Sequence, residues 1–117
     1  MSTDDINSAI EAVQGYIETL KLALVAAANK GNSGLATRIE SRCLDANALE
    51  ESLTGMLTMD TIDDLKTAIG EVSQVTQTLD RQKIQIDSMI KAVGSAATVV
   101  DEIAAVSAAV AKLAAGL

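Results

Sequence analysis

Apolar residues recur at alternating intervals of three and four along almost the whole chain, and this spacing constrains the fold more than any other feature. Residues three or four positions apart share one face of an α-helix, whereas a strand repeats every second residue. Three such series begin at Ile6, Leu35 and Ile62. The sequence contains no proline, so no residue forces a helix to stop. The pattern therefore predicts an all-α protein.

Turn and capping residues divide this periodic sequence into helical segments. The clearest turn is 29–34, where two glycines and two asparagines occur within six residues. Ser2 and Asp5 have capping-box spacing at the start of the first helix, and Ser33 is predicted to be the N-cap of the second. The predicted helices are about 4–29, 34–57, 61–93 and 96–115.

Three carboxylates lie at the start of the third predicted helix, and they allow two interpretations. Asp60, Asp63 and Asp64 could bind a cation, or they could cap the helix and complement its dipole. A calcium loop needs alternating oxygen ligands, a glycine and a late glutamate, and the sequence lacks that arrangement. Thr61 and Asp64 have capping-box spacing. Capping is the favoured interpretation, and no metal site is predicted.

The sequence allows two conformations at Gly94, between the last two helical segments. A glycine inside a helix costs about 1 kcal/mol relative to alanine, and the apolar stripe changes position after it. A bend or a short turn is favoured, and a straight helix through Gly94 is the alternative. The predicted fold is therefore a single domain, 1–117, forming an elongated up-down bundle of three or four helices with coiled-coil-like heptad packing.

Composition removes several classes of function. The net charge is -7, and the nine basic residues are scattered rather than clustered, which argues against a nucleic-acid partner. The chain has no histidine and one cysteine, so histidine-based catalytic arrangements and a zinc site have no ligands to use. We expect a protein that is not an enzyme and that needs no cofactor.

Cys43 allows two interpretations. It lies in a predicted helix beside Arg42, whose charge could lower the pKa of the thiol and make it reactive. The alternative, which we favour, is a small buried side chain that fills space in the core. A single cysteine forms no internal disulfide, so the redox compartment stays undetermined.

Two polar residues interrupt the apolar stripe of the third predicted helix, at Thr76 and Lys83. A polar residue on a helix–helix seam can fix register or oligomeric state, at some cost in stability. Lys83 could instead extend its side chain along the apolar surface and place its charge in water. The sequence leaves these two roles for Lys83 equally open.

The C-terminal segment is rich in alanine and valine and carries few charges. Its larger side chains exceed what a helix with one buried side needs, and an uncovered apolar face usually marks a binding site. We therefore expect another chain to cover this face, most simply a copy of the same protein. The candidate interface residues are Val99, Val100, Ile103, Val106, Val110 and Leu113.

These features predict a non-catalytic structural, assembly or interaction protein that acts through helix–helix association. It could be a self-assembling subunit or a small secretion or assembly chaperone, and its partner is a protein, either itself or another helical chain. The alternative is a membrane-active, pore-forming type of protein whose C-terminal helix engages lipid, which is less favoured. The acidic N-terminus lacks the pattern of a cleavable signal peptide, and no clear transmembrane span is present. We expect a cytoplasmic protein, or one exported by a route that is independent of a signal.

Overall fold

The computed structural model describes residues 2–117, and these form four α-helices without a strand. Met1, the first residue of the predicted domain, lies outside the described residues. The helices are α1 (Thr3–Asn29), α2 (Ser33–Met56), α3 (Ile62–Ala92) and α4 (Val99–Ala115). The prediction of an all-α fold is confirmed.

Capping side chains define where the first three helices begin. Ser2 and Asp5 form the predicted reciprocal capping box of α1. The Thr61 side chain accepts a hydrogen bond from the Asp64 backbone N–H, so capping of α3 is also confirmed. The N-cap of α2 is Asn32, whose side chain accepts from the Leu35 N–H, and not Ser33 as predicted. Asparagine and serine are equally good N-caps, so sequence alone did not distinguish two adjacent candidates.

The helices run alternately up and down, and each packs against the helices before and after it in the ring. α1 contacts α2 and α4, and α3 contacts the same two helices from the other side. An ion pair of 3.4 Å between Lys112 Nζ and Asp5 Oδ1 joins the end of α4 to the start of α1. The bundle measures 48 × 20 × 20 Å. An elongated up-down bundle of four helices is therefore present, and its heptad packing stays a prediction.

The helical conformation ends just before Gly94, so the alternative of one straight helix through this residue is wrong. Gly94 adopts a φ of 77°, a left-handed conformation that glycine tolerates without steric cost. Residues 93–98 form a connection, so α4 begins at Val99 and not near residue 96. The two helices are therefore separate elements that pack antiparallel.

An aspartate from α3 caps the N-terminus of α4 across this connection. Thr98 is the N-cap by position, but its side chain makes no capping hydrogen bond. The carboxylate of Asp87 instead accepts from the Val99 backbone N–H at 3.2 Å, and its other oxygen lies 2.8 Å from Lys91 Nζ. Asp87 is buried, so this cap also joins the two helices.

Candidate functional site

The apolar face of α4, which the sequence predicted to meet a partner, lies inside the bundle. Five of its six candidate residues are buried against the same chain. These are Val99, Ile103, Val106, Val110 and Leu113. The expectation that another chain covers this face is therefore corrected, because α1 and α3 already cover it.

The remaining candidate, Val100, is half-buried at the edge of the α4 core stripe. The error came from treating α4 as a helix with excess apolar surface. Its five buried side chains form one narrow stripe, and its outward positions are mainly alanines such as Ala104 and Ala108, which are small and exposed. A helix of this composition therefore needs only its own bundle to cover it.

The two polar residues of the α3 stripe behave differently from each other. Thr76 is buried, and its hydroxyl donates to the Val72 carbonyl one turn earlier, at 2.9 Å. The side chain of Lys83 is 33% exposed, and its Nζ lies 3.2 Å from Asp80 Oδ1. This is the geometry of a lysine that extends to the surface, and it matches the second of the two interpretations. A role in fixing oligomeric state stays a prediction for both residues.

Cys43 is buried in the core, as the space-filling interpretation expects. Burial raises the pKa of its thiol, and the nearby charge of Lys21 only partly offsets that effect. The suggested lowering of the pKa by Arg42 is therefore wrong. A thiol that stays protonated near neutral pH is a weak nucleophile.

Three buried polar atoms have no protein hydrogen-bond partner within residues 2–117. They are Tyr16 Oη, Gln82 Oε1 and Ser107 Oγ. Burial raises the pKa of the Tyr16 phenol well above its ordinary value. A buried polar atom that gains no hydrogen bond on folding lowers stability.

The seam between α2 and α3 is the most loosely packed of the four seams between neighbouring helices. A groove of about 710 Å³ runs along the first ten residues of α2 and the last nine of α3. Its apolar lining includes the buried Leu35 and Ile86, the half-buried Met89, and Ile84, whose side chain is 71% exposed. We call this surface the α2–α3 groove. It is concave and partly apolar, as binding surfaces commonly are.

The charged side chains that line the α2–α3 groove are positive. Arg38 and Arg42 are the charged residues among those that line it, although the chain as a whole has 16 acidic and nine basic residues. Arg42 also pairs with Asp45 on the outside of α2 at 3.3 Å. That pair is exposed and contributes little to stability, so the guanidinium can bind another carboxylate.

Sequence reasoning missed this groove because its width depends on how far apart two helices lie. The signal in the sequence was Ile84, an isoleucine that falls outside the α3 stripe between Lys83 and Ile86. An exposed large apolar residue is common and proves nothing alone. Its position beside two arginines of another helix becomes visible only in the structure.

The other two functional expectations concern metals and membranes. Within residues 2–117, the structure brings together no group of three or more His, Cys, Asp or Glu side chains that could hold a metal ion. None of the described helices combines the length and the apolar character needed to cross a membrane.

The fold and the groove define a class of structure, an up-down four-helix bundle whose α2–α3 seam is the most loosely packed of the four. Comparison of the chain with models of protein families, with curated proteins and with solved structures found no match.

Proposed function

We propose that this protein is a non-catalytic interaction or assembly module that binds an apolar and acidic segment of a protein through the α2–α3 groove. The observation that carries the proposal is the groove itself, with an apolar floor and two arginines at its edge. A segment with an apolar ridge and acidic flanks would bury its apolar side chains against Ile84 and Met89. Its carboxylates would meet Arg38 and Arg42.

The contrast with the α1–α4 seam supports this choice. The buried face of α1 contains Ala9, Ala23 and Ala27, whose small side chains let a neighbouring helix approach closely. For example, a Cβ atom added at Gly15 of α1 would lie 3.2 Å from the Glu102 carboxylate of α4. The residues that line the α2–α3 groove include long side chains such as Arg38 and Met89, and space remains between the two helices. This seam can therefore accept a ligand without separation of the helices.

Site-specific photo-crosslinking tests the proposal. A photoreactive amino acid is placed at Ile84, beside the groove, and in a matched variant at Leu44, which is equally exposed on the outer face of α2. The variants are irradiated as pure protein at high concentration and in extract of the cells that make the chain. We expect a discrete protein adduct from position 84 and none from position 44.

The same crosslinker in an Arg38→Glu, Arg42→Glu background provides the specificity control. If the groove binds acidic segments, the adduct at position 84 should disappear, because like charges across an interface oppose association. Equal labelling from positions 84 and 44, or an adduct unaffected by the arginine changes, would contradict the proposal.

The rival proposal is a membrane-active protein whose α4 engages lipid. It requires α4 to leave the bundle, and this exposes a stripe that now fills the core. Co-sedimentation with liposomes separates the two proposals. Lipid binding that depends on residues 96–117 would favour the rival, and the proposal of a groove-binding module predicts that the chain stays in the supernatant.

A further inference from the structure

We propose that the α2–α3 groove binds the α2–α3 loop of a second copy of this chain, an inference that rests on the proposed function. The loop segment, as we use the term, is 57–64, which comprises the loop 57–61 and the first three residues of α3, at the end of the bundle opposite the groove. Copies of the protein would then associate head to tail along the long axis of the bundle.

The loop segment has the composition that the groove needs. Leu57, Met59 and Ile62 are exposed apolar residues within six positions of one another. Asp60 and Asp63 alternate with them, Asp64 follows, and the segment contains no basic residue. Thr61 caps α3 inside this segment, so its backbone is fixed by the fold and little order has to be gained on binding.

The two surfaces are complementary in charge as well as in apolar character. The groove presents Arg38 and Arg42, and the loop segment presents three carboxylates. Charge complementarity steers two surfaces together and fixes their register. In a chain with net charge -7, general repulsion between copies opposes association, so a local pairing of opposite charges is needed for copies to approach.

The topology places these surfaces at opposite ends of one rod. α2 runs from the groove end to the loop end, and α3 returns. Both surfaces therefore stay free when one of them is occupied. An interface between unlike surfaces of identical subunits generates a ring or an open chain and does not stop at a dimer.

The proposed contact is small and therefore weak. A loop of eight residues seated in a groove belongs to the class of interfaces that bury less than about 1,200 Å² in total, which are transient. Association should depend on protein concentration, and high salt should weaken it because exposed charges are screened.

Two variants break opposite halves of the contact. The groove variant carries Arg38→Glu and Arg42→Glu, and the loop variant carries Asp60→Lys and Ile62→Lys. These four side chains are exposed or half-buried, so both variants should keep the helical circular dichroism spectrum of the parent protein. Ile84→Glu is a second groove variant, which is used if the double arginine change lowers the melting temperature.

Sedimentation velocity over a range of concentrations is the measurement. The parent chain should form species larger than a dimer as its concentration rises. Each variant alone should stay monomeric, with association weakened more than about tenfold. An equimolar mixture of the two variants should form a 1:1 complex and nothing larger, because the intact loop of one fits the intact groove of the other.

Matched controls carry the same change in charge elsewhere. Lys21→Glu with Arg81→Glu alters the net charge as the groove variant does, and Leu44→Lys with Glu51→Lys matches the loop variant. Both controls should associate like the parent chain.

A parent chain that stays monomeric, a variant that associates unchanged, or a mixture that forms no complex would overturn the inference. The proposed function would still stand if position 84 crosslinked to another protein in the cell extract. It would fail together with this inference if that position captured nothing in either setting.

Discussion

The apolar face of α4 and the α2–α3 groove differ in whether the chain itself covers them. The α4 face is continuous and regularly spaced, and the chain covers it completely with α1 and α3. The groove is less apolar in sequence, is edged by arginines, and stays open. The more apolar of the two regions is therefore the less available to a partner.

The difference shows what determines whether an apolar surface is free. Periodicity identifies the face of a helix that will be buried, because burial of apolar area is the dominant favourable term in folding. It does not identify the chain that buries it. The valine, isoleucine and leucine side chains of the α4 stripe fill the core of the bundle, whereas Ile84, Arg38 and Arg42 surround a seam that packs less closely.

The largest effect is expected from charges placed in the α4 stripe. Val106→Glu with Val110→Glu would bury two carboxylates without partners, and the whole bundle should unfold, with a loss of more than about 5 kcal/mol in the free energy of unfolding. Far-ultraviolet circular dichroism during thermal unfolding measures this loss.

Ala104→Glu with Ala108→Glu is the matched control on the exposed side of the same helix. It changes the net charge equally and should keep the fold. A folded Val106, Val110 double variant with an altered oligomeric state would restore the interface role that the sequence first suggested for α4.

The next effect concerns the cap that joins α3 to α4. Asp87→Ala removes the acceptor of the Val99 N–H, and we expect a loss of about 1–3 kcal/mol in the free energy of unfolding. Urea titration measures it. Lys91→Ala keeps the cap and removes only the exposed ion-pair partner, so it should cost less than about 1 kcal/mol. Equal losses from the two changes would show that the ion pair, and not the cap, is the stabilising contact.

A gain in stability is expected at Tyr16. Tyr16→Phe removes a buried hydroxyl that has no protein partner while keeping the ring, and the free energy of unfolding should rise by about 1 kcal/mol. Chemical denaturation at neutral pH tests this value. A loss of stability would show that the hydroxyl is hydrogen-bonded in solution.

The same residue gives a pH dependence. Because burial raises the pKa of Tyr16, the folded chain retains a proton that the unfolded chain releases above about pH 10. The stability linked to this proton is present below that pH and is lost as the pH rises further. The parent chain should therefore lose stability more steeply in this range than Tyr16→Phe, and parallel curves would contradict the assignment.

The smallest effect is expected at Lys83. Lys83→Leu replaces a partly exposed lysine on the inner stripe of α3, and it should stabilise the bundle by about 0.5–1 kcal/mol without a change in oligomeric state. Lys66→Leu, at an exposed position of α3, is the control and should give no gain. A broadened set of oligomers for Lys83→Leu by light scattering would favour its role in fixing register.

The sequence predicted the helices because their causes are local. Apolar spacing, the capping pairs at Ser2 and Thr61, and the turn around Gly31 each act within a few residues. The break after Gly94 was favoured for the same reason. The cap from Asp87 to Val99 joins two helices and has no local signature, so it could not be predicted.

The candidate site was predictable only in part. The α4 stripe was found correctly as a stripe, but its covering by the chain depends on the arrangement of four helices. The groove depends on a distance between helices that no spacing in the sequence encodes. Ile84 was visible as an apolar residue out of phase, without an indication of the arginines beside it.

Backbone amide chemical shifts recorded while the protein is concentrated from micromolar to millimolar test most directly whether association uses the open seam. We predict shifts in two clusters, at Arg38–Arg42 with Ile84–Met89 and at Leu57–Asp64, while the amides of Val106 and Val110 stay unchanged. Shifts centred on α4 with an unchanged groove would contradict the account.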